Sequence, residues 1–205
     1  MKKLKPYANF IFEVGVLAQT PRSFFRHLGG LQQSIAEHIC RTVYIGFALA
    51  HLEKERGSQI NIEKVMEICL FHDLGEARAL DLDYISQKYN KSDELKAIED
   101  AVKDLPFGQR IVSAFKEMDE KSTTEGIVAK DADNLELLCS LKELMDAGNK
   151  QAESWIPPIL KRLNTLSAQQ LAQEIINTDS NDWWYENKED NYWVSGGKNR
   201  HNRKD

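Results

Sequence analysis

Apolar residues recur at every third or fourth position through most of this chain, which is the spacing of one face of an α-helix. Polar and capping residues separate the apolar runs, and no alternating pattern typical of a β-strand continues for more than a few residues. The pattern therefore predicts an all-α fold. The predicted helices lie at residues 7–18, 35–54, 92–103, 109–119, 126–147, 155–163 and 167–176, with one more between Asn61 and His72.

Capping residues support several of these helix starts. Ser34 with Glu37, and likewise Ser122 with Glu125, have the spacing of a capping box. In that motif a hydroxyl and a carboxylate satisfy backbone N–H groups at the start of a helix. Asn61 is predicted to cap the third long helix.

The length of 205 residues predicts one domain with a buried core. We expect this domain to cover residues 1–178. Residues 179–205 are predicted to form a polar and aromatic C-terminal tail, disordered over residues 196–205. Its large aromatic residues, among them Trp183 and Trp193, are predicted to dock on the domain rather than on a partner, because such side chains bury much area.

Composition and charge exclude several classes of protein. Hydrophobic residues make up 41% and charged residues 29%, and the net charge is −5. An acidic chain has no general attraction to nucleic acid or to anionic membranes, although a local basic pocket is compatible with it. No apolar run approaches the roughly 20 residues needed to cross a bilayer, and the polar sequence after Met1 does not predict a signal peptide.

The cysteines point to a reducing compartment. Cys40, Cys69 and Cys139 lie in apolar helical runs and form no Cys-x-x-Cys pair. They are predicted to be reduced core residues rather than disulfide or zinc ligands. The reduced cysteines therefore predict a cytoplasmic protein. The acidic net charge and the absence of a long apolar run predict that it has no nucleic-acid or membrane partner.

The most informative stretch lies at the end of an apolar helical run, where His72 and Asp73 are adjacent and Glu76 follows one turn later. An imidazole and a carboxylate that project together from the end of a buried helix can bind a divalent metal ion. A nearby Glu can then move a proton for a water on that ion. The alternative interpretation is a helix end with a capping His and an ordinary acidic surface.

Further candidate ligands lie on two other predicted helices. His38 is in the first turn of an apolar helix, where an isolated His is more often a core residue than a ligand. Asp131 and Asp133 point to faces about 200° apart on a helix, so only one is expected to face the core. Spacing alone does not choose between them. A buried Asp needs a metal or a cationic partner, because an unpaired buried carboxylate is costly.

In this order, His38, the pair His72-Asp73 and an Asp in the sequence 132–135 resemble the metal-ligand pattern of the HD-domain metal-dependent phosphohydrolases. Within that superfamily the chain is most similar to the 5′-deoxynucleotidase-like branch. The resemblance covers residues 10–149. It is carried by Thr20-Pro21-Arg22, Ala36-Glu37-His38, His72-Asp73-Leu74-Gly75-Glu76 and Ala132-Asp133-Asn134-Leu135, followed by Glu143-Leu144 and Ala147-Gly148-Asn149.

The resemblance implies an HD-domain helical bundle of roughly eight to ten helices around one metal site. The implied ligands are His38, His72, Asp73 and Asp133, since the motif of the family places its last ligand on the Asp that follows Ala. Such mixed ligation suits one divalent Mn²⁺, Co²⁺, Fe²⁺ or Zn²⁺ ion better than Mg²⁺, which prefers oxygen. Glu76 and Asp73 are the implied catalytic residues, with Glu76 positioning the attacking water or transferring its proton.

The implied substrate-binding residues are Arg22, Phe24, Phe25 and Asp81. Arg22 would clamp phosphate oxygens, Asp81 would accept a hydrogen bond from the sugar, and a Phe would pack on sugar or base. Two departures from the branch affect this region. Its members usually carry Trp shortly after the Arg, where this chain has Phe24 and Phe25. Many have Gly-Asp-x-Pro after the His-Asp helix, where this chain has Leu80-Asp81-Leu82-Asp83.

The expected activity is that of a metal-dependent 5′-nucleotidase, which releases phosphate from (deoxy)nucleoside 5′-monophosphates by means of a metal-activated water. The resemblance also implies a homodimer. One alternative on the same scaffold is an HD-type phosphodiesterase or nucleotide-polyphosphate hydrolase. A second alternative is a non-catalytic protein that binds metal or nucleotide. Only His27 and His51 remain as spare histidines outside the tail, which weighs against a site with two metal ions.

Overall fold

The long helix predicted near residue 126 forms the centre of a helical bundle in the computed structural model of this protein. The structure describes residues 4–29 and 32–185, which contain helices, turns and loops but no β-strand, so the all-α prediction is confirmed. Among these residues, eight helices have nine or more residues and three are single turns of four. In chain order they are α1 (Lys5–Val16), α2 (Phe25–Leu28), α3 (Ile35–Glu55), α4 (Ile62–Phe71), α5 (Glu76–Ala79), α6 (Glu94–Val102), α7 (Gly108–Asp119), α8 (Thr124–Asp146), α9 (Lys150–Leu160), α10 (Leu166–Asn177) and α11 (Asp182–Tyr185), with a 3₁₀ turn at Ser86–Lys88.

Helix α8 has neighbours on several sides. It packs against α3, α4, α7, α9 and α10, so it lacks the single apolar stripe of a surface helix. Its fully buried apolar residues are Val128, Ala129, Ala132, Leu135, Leu138 and Leu141. Any polar side chain on the inner part of α8 must therefore find a partner on an adjacent helix.

The expectation that only one of Asp131 and Asp133 faces the interior is wrong. Asp131 is fully buried on the side of α10, and Asp133 points towards α3 and α4. Asp131 needs no cation, because its two oxygens accept four hydrogen bonds of 2.7–2.8 Å from the backbone and side chains of Asn164 and Thr165. The carboxylate thereby holds the start of α10 against α8.

Two predicted helix caps are confirmed. Ser34 and Glu37 form the reciprocal capping box at the start of α3. The Asn61 side chain accepts a hydrogen bond from the backbone N–H of Lys64, 3.1 Å away, at the start of α4.

The predicted cap of α8 is wrong by one residue. Thr123, rather than Ser122, has the extended backbone of an N-cap, and its hydroxyl accepts the N–H of Gly126 over 3.0 Å. Glu125 closes no box. Its carboxylate accepts the N–H of Asn61 over 2.9 Å and so connects the starts of α8 and α4.

The cysteines are free, but their surroundings differ. Cys69 is buried, Cys139 is half-buried and Cys40 is exposed. The prediction of a core residue is wrong for Cys40, because it lies beside the stripe of buried positions on α3.

The C-terminal region departs from one further expectation. Trp183 is 86% exposed, so docking on the domain is not seen for this side chain. Trp193 and the predicted disorder of residues 196–205 lie outside the described residues. No described helix combines the length and the apolar character needed to cross a membrane.

Candidate metal centre

The four candidate metal ligands lie on, or directly after, three helices that pack on one another. His38 lies in the first turn of α3, and His72 directly follows the last residue of α4. Asp73 comes next, in the turn between α4 and α5, and Asp133 lies near the middle of α8. Each pair among α3, α4 and α8 is in direct contact, so the ligands meet where the three helices join.

The side-chain atoms of these four residues converge on one point. The Nε2 atoms of His38 and His72 are 3.1 Å apart. Oδ2 of Asp73 lies 3.3 Å and 3.2 Å from these two nitrogens, and Oδ1 of Asp133 lies 3.3 Å and 3.9 Å from them. An ion with bonds of about 2.1 Å would hold its ligand atoms roughly 3.0–3.4 Å apart. Four of the five distances fall in this range, and the fifth, between Nε2 of His72 and Oδ1 of Asp133, exceeds it by about 0.5 Å. The donor set therefore fits one divalent ion.

Hydrogen bonds at the outer nitrogens orient both imidazoles. Nδ1 of His72 donates to the carbonyl oxygen of Cys69 over 2.8 Å, and Nδ1 of His38 donates to Oε2 of Glu136 over 2.6 Å. In a neutral imidazole the other nitrogen then carries a lone pair. Two lone pairs would face each other across the site, and a cation between them removes this repulsion. Such second hydrogen bonds are usual for metal-binding His.

Charges around His38 also favour a cation. Burial lowers the pKa of this imidazole, and so does the Arg22 guanidinium. Hydrogen bonds with the carboxylates of Asp133, Asp73 and Glu136 outweigh both effects and raise the pKa well above its usual range. Without metal the site therefore takes up a proton, and metal binding is expected to release it.

The two candidate carboxylate ligands stay ionised. Burial raises the pKa of Asp73, but His72 and His38 lower it below its usual range. Burial likewise raises the pKa of Asp133, and the Lys130 ammonium, 2.8 Å away, together with the imidazoles, lowers it below its usual range. Ionised carboxylates are the form that binds metal.

Glu136 receives no role from sequence inspection, and the structure makes it the partner of His38. It is fully buried and also accepts hydrogen bonds from Gln33 over 2.7 Å and from Arg41 over 2.8–2.9 Å. Burial raises the pKa of Glu136, but these partners lower it to about 2. One feature of the sequence could have indicated this role: Glu136 lies three residues after Asp133, which is about one helical turn along α8.

Glu76 is a buried acid with an unsatisfied oxygen. It is 6% exposed, and its Oε2 has no hydrogen-bond partner among the described residues. Burial and the nearby carboxylates of Asp73 and Asp81 raise its pKa to about 10. A carboxyl group with so perturbed a pKa beside a metal site is a candidate for proton transfer.

Arg22 points its guanidinium at the same site. Its backbone N–H donates to Gln33 over 2.8 Å, which fixes the loop before α2 against the start of α3. Nη1 lies 3.4 Å from Oδ2 of Asp73, and Nε is buried without a hydrogen-bond partner among the described residues. A buried N–H without an acceptor suits an anionic ligand.

Asp81 connects the two loops at the rim of the site. Its Oδ2 accepts the backbone N–H of Ser23 over 2.8 Å and lies 4.0 Å from Nε of Arg22. The residue before it, Leu80, has a φ of 64°, in the left-handed region that non-Gly residues seldom adopt. Asp81 is thus held beside Arg22 by a constrained loop.

Two adjoining cavities open next to the candidate ligands. One, the metal cleft, has a volume of about 480 Å³ and is lined by Asp73, Asp133, Glu76 and several cationic residues. The other, the aromatic cavity, has a volume of about 660 Å³. The residues that line both are Arg22, Asp81, Gln87, Leu137 and Arg162.

The two predicted aromatic substrate residues separate in the structure. Phe24 lines the aromatic cavity together with His27, Tyr84 and Trp155. Phe25 lines neither of these cavities. It stacks on Phe24 at 4.2 Å and lies in the core, so the prediction that it contacts substrate is not supported. Trp155, on α9, was not predicted, because only the tertiary fold brings it to this cavity.

Comparisons with known proteins agree with this fold. The family model for the HD domain matches residues 14–175. The 5′-deoxynucleotidase HDDC2 of Dictyostelium discoideum is 28% identical over 145 residues, which are 67% of this chain and 76% of that protein. A conserved hypothetical protein from Pyrococcus furiosus superposes with a TM-score of 0.70 at 27% identity, covering 83% of this chain and 99% of its own. A predicted metal-dependent phosphohydrolase from Magnetospirillum magnetotacticum, 19% identical with a TM-score of 0.65 over 85% of this chain and 91% of its own, shares the fold.

Proposed function

The chain belongs to the HD-domain family of metal-dependent phosphohydrolases, and we propose that it is a 5′-nucleotidase acting on deoxynucleoside and ribonucleoside 5′-monophosphates. The observation that carries the proposal is that four candidate metal ligands, the buried carboxyl group of Glu76 and the half-buried guanidinium of Arg22 meet beside an aromatic cavity. The 5′-deoxynucleotidase from Dictyostelium discoideum, a relative of this chain, supports a nucleotide substrate.

The proposed ligands of one divalent ion are His38, His72, Asp73 and Asp133. Mn²⁺, Co²⁺, Fe²⁺ or Zn²⁺ suits two nitrogen and two oxygen donors better than Mg²⁺ does. The bound ion supplies Lewis acidity, which lowers the pKa of a water molecule and offsets the charge of the phosphate.

Glu76 is the proposed proton carrier. Glu76 lines the metal cleft, and its raised pKa keeps a proton on the carboxyl group at neutral pH. It can donate this proton to the leaving O5′ while the water oxygen forms the new bond to phosphorus and the bond from phosphorus to O5′ breaks. The Glu76 carboxylate then accepts the proton of the attacking water, so that nucleoside and inorganic phosphate are the products.

Arg22 and the aromatic cavity are proposed to bind the two parts of the nucleotide. The guanidinium of Arg22 lines both cavities and can donate to the non-bridging oxygens of a phosphate held at the candidate ligands. The sugar and the base would occupy the aromatic cavity, where Phe24 and Trp155 offer flat apolar surfaces. Asp81, on the wall that the two cavities share, is placed to accept a hydrogen bond from the sugar.

Phosphate release from a panel of nucleoside 5′-monophosphates tests the proposal, with deoxy and ribo forms in parallel. Metal-stripped protein is assayed alone and after addition of Mn²⁺, Co²⁺, Zn²⁺ or Mg²⁺. We expect turnover only after metal addition. A protein that binds metal but releases no phosphate from any monophosphate would contradict the proposal. Release from diesters or polyphosphates alone would reassign the substrate, and binding without turnover would indicate a non-catalytic role.

A further inference from the structure

Lys130 lines the metal cleft and pairs with one of the candidate metal ligands. Its Nζ lies 2.8 Å from Oδ2 of Asp133, which is three residues further along α8. The other oxygen of that carboxylate, Oδ1, lies 3.3 Å from Nε2 of His38. One carboxylate therefore has an oxygen towards the candidate ligands and an oxygen towards Lys130, which places this ammonium group directly beside the candidate metal centre.

Arg22 has the same relation to the second carboxylate of the ligand set. Its Nη1 lies 3.4 Å from Oδ2 of Asp73, and this oxygen lies 3.3 Å and 3.2 Å from the two imidazole nitrogens. Arg22 belongs to the loop before α2, whereas Lys130 belongs to α8. Two cations from separate elements therefore adjoin the ligand set, each beside a different carboxylate.

The ammonium group of Lys130 has donors that a ligand could use. It carries three N–H groups, and among the described residues its hydrogen-bond partner is Asp133. The side chain is 39% exposed, so a molecule in the cleft can reach it. Its backbone is held in place, because the next residue, Asp131, accepts hydrogen bonds from Asn164 and Thr165 at the start of α10.

The carboxyl groups of the cleft decide when Lys130 is available to an anion. Five of them line the cleft, namely Asp73, Glu76, Asp81, Glu94 and Asp133. In the absence of an ion, Asp133 neutralises Lys130 and Asp73 neutralises Arg22. Both carboxylates are offset once a divalent ion is bound, and the two cations can then act on an anion. Lys130 is thus suited to direct contact with an anion in the metal-bound protein, whatever the net charge of the cleft.

We propose that Lys130 is a second phosphate-binding residue, whose ammonium group donates a hydrogen bond to a non-bridging oxygen of the phosphate that Arg22 also binds. This assignment rests on the proposed function for the presence of a phosphate at the candidate ligands. Lysine binds phosphate as a point charge. A second cation on a different element fixes the orientation of the phosphoryl group, which a single contact leaves free to turn.

Binding of inorganic phosphate to the Mn²⁺-loaded protein, measured by calorimetric titration, tests this contact without turnover. Lys130→Gln keeps a hydrogen-bonding side chain but removes the charge. We expect this variant to bind phosphate about tenfold more weakly than the unsubstituted protein, which is the lower end for a hydrogen bond to a charged group. Lys130→Arg retains the charge and should retain most of the affinity.

The affinity for Mn²⁺ separates phosphate binding from a purely structural role. Removing a positive charge beside the ligands lessens the repulsion of the ion. Lys130→Gln should therefore bind Mn²⁺ at least as tightly as the unsubstituted protein, as measured by competition with a chromophoric chelator. If Lys130 served only to orient Asp133, its loss would weaken Mn²⁺ binding instead.

Lys64→Gln is the matched control. Lys64 also pairs with a carboxylate, that of Glu117 over 2.9 Å, but it lines neither the metal cleft nor the aromatic cavity. Its replacement should leave the affinities for phosphate and for Mn²⁺ unchanged.

Three results would overturn the assignment: no binding of phosphate by the Mn²⁺-loaded protein, unchanged phosphate affinity in Lys130→Gln, or equal losses of phosphate and Mn²⁺ affinity in that variant. The nucleotidase function is judged separately, from phosphate release by the unsubstituted protein. Release from monophosphates with unchanged phosphate affinity in Lys130→Gln would keep that function and reject Lys130 as a phosphate ligand. A selective loss of phosphate affinity in Lys130→Gln, without release by the unsubstituted protein, would do the opposite.

Discussion

At the scale of single residues, two buried glutamic acids beside the candidate metal centre have opposite ionisation. Both are buried, which raises the pKa of each. Hydrogen bonds from His38, Arg41 and Gln33 lower the pKa of Glu136 to about 2, whereas neighbouring carboxylates raise that of Glu76 to about 10. The first is suited to holding an imidazole in place, and the second to carrying a proton.

Replacing Glu136 tests its positioning role. Glu136→Gln keeps the volume but removes the charge that fixes the proton on Nδ1 of His38. We expect metal affinity to fall about 10–100-fold, as for other partners of metal-bound His, as measured by competition with a chromophoric chelator. Glu143→Gln is the control, because Glu143 also pairs with Arg41 but is exposed and does not touch His38. Equal metal affinity in the two variants would contradict the role.

Replacing Glu76 tests proton transfer. Glu76→Gln should lower kcat for phosphate release by about 10²–10⁴-fold, the usual contribution of a general acid–base group, with metal content unchanged. Glu94→Gln serves as comparison, since Glu94 lines the same cleft but has no oxygen that is both buried and without a hydrogen-bond partner. Full activity of Glu76→Gln would exclude the proposed proton transfer.

At the scale of helices, the sequence predicted those helix caps that depend only on residues close together along the chain. The capping box at Ser34 and the cap at Asn61 were predicted because each depends on residues within one turn. The choice between Ser122 and Thr123 was missed, because both precede a helical pattern and only the backbone conformation separates them. The partners of Asp131 lie more than 30 residues along the chain, where periodicity carries no information.

The same difference between local and long-range contacts explains which residues of the candidate site were predicted. The short motifs around His38, His72 and Asp133 predicted a ligand set, and the structure brings these side chains together. Glu136 and Trp155 were not predicted, since their roles depend on contacts between helices distant in sequence. Phe25 was predicted to contact substrate from its place in the sequence, whereas the structure places it in the core and outside both cavities. Sequence position alone does not tell which of two adjacent aromatic side chains points into the core.

The cap of α8 gives a test at this scale. Thr123→Ala should lower the free energy of unfolding by about 1 kcal/mol, because the N–H of Gly126 loses its acceptor. Chemical denaturation of metal-free protein measures this. Ser122→Ala should change stability little, since no capping hydrogen bond of α8 depends on Ser122. A larger loss for Ser122→Ala would reverse the assignment of the cap.

At the scale of the whole molecule, a metal ion bound by α3, α4 and α8 should stabilise the folded state. At an ion concentration about 100 times Kd, the gain is about 2.7 kcal/mol, or roughly 5–10 °C in Tm for a chain of this size. Differential scanning calorimetry with and without Mn²⁺ measures it. Asp133→Asn should abolish most of the increment. An equal increment in that variant would remove Asp133 from the ligand set.

Stability of the metal-free protein should also depend on pH. The pKa of Glu76 is about 10 in the folded state against a usual 4.5, so between these values the folded state holds a proton that the unfolded state has lost. Stability therefore falls as pH rises through this range. We expect Tm in the presence of chelator to fall more steeply from pH 5 to pH 8 in the unsubstituted protein than in Glu76→Gln. Parallel slopes would show that Glu76 titrates normally.

The two aspartates of α8 have a mechanical consequence. Asp131 is tied to α10 on one side, and Asp133 faces the other candidate ligands on a side about 200° away. Helix α8 is thus prevented from turning about its own axis, whether or not an ion is present. The register of Asp133 towards His38 and His72 is set by the fold in advance, so an arriving ion meets a preorganised site and spends little of its binding free energy on rearranging the protein.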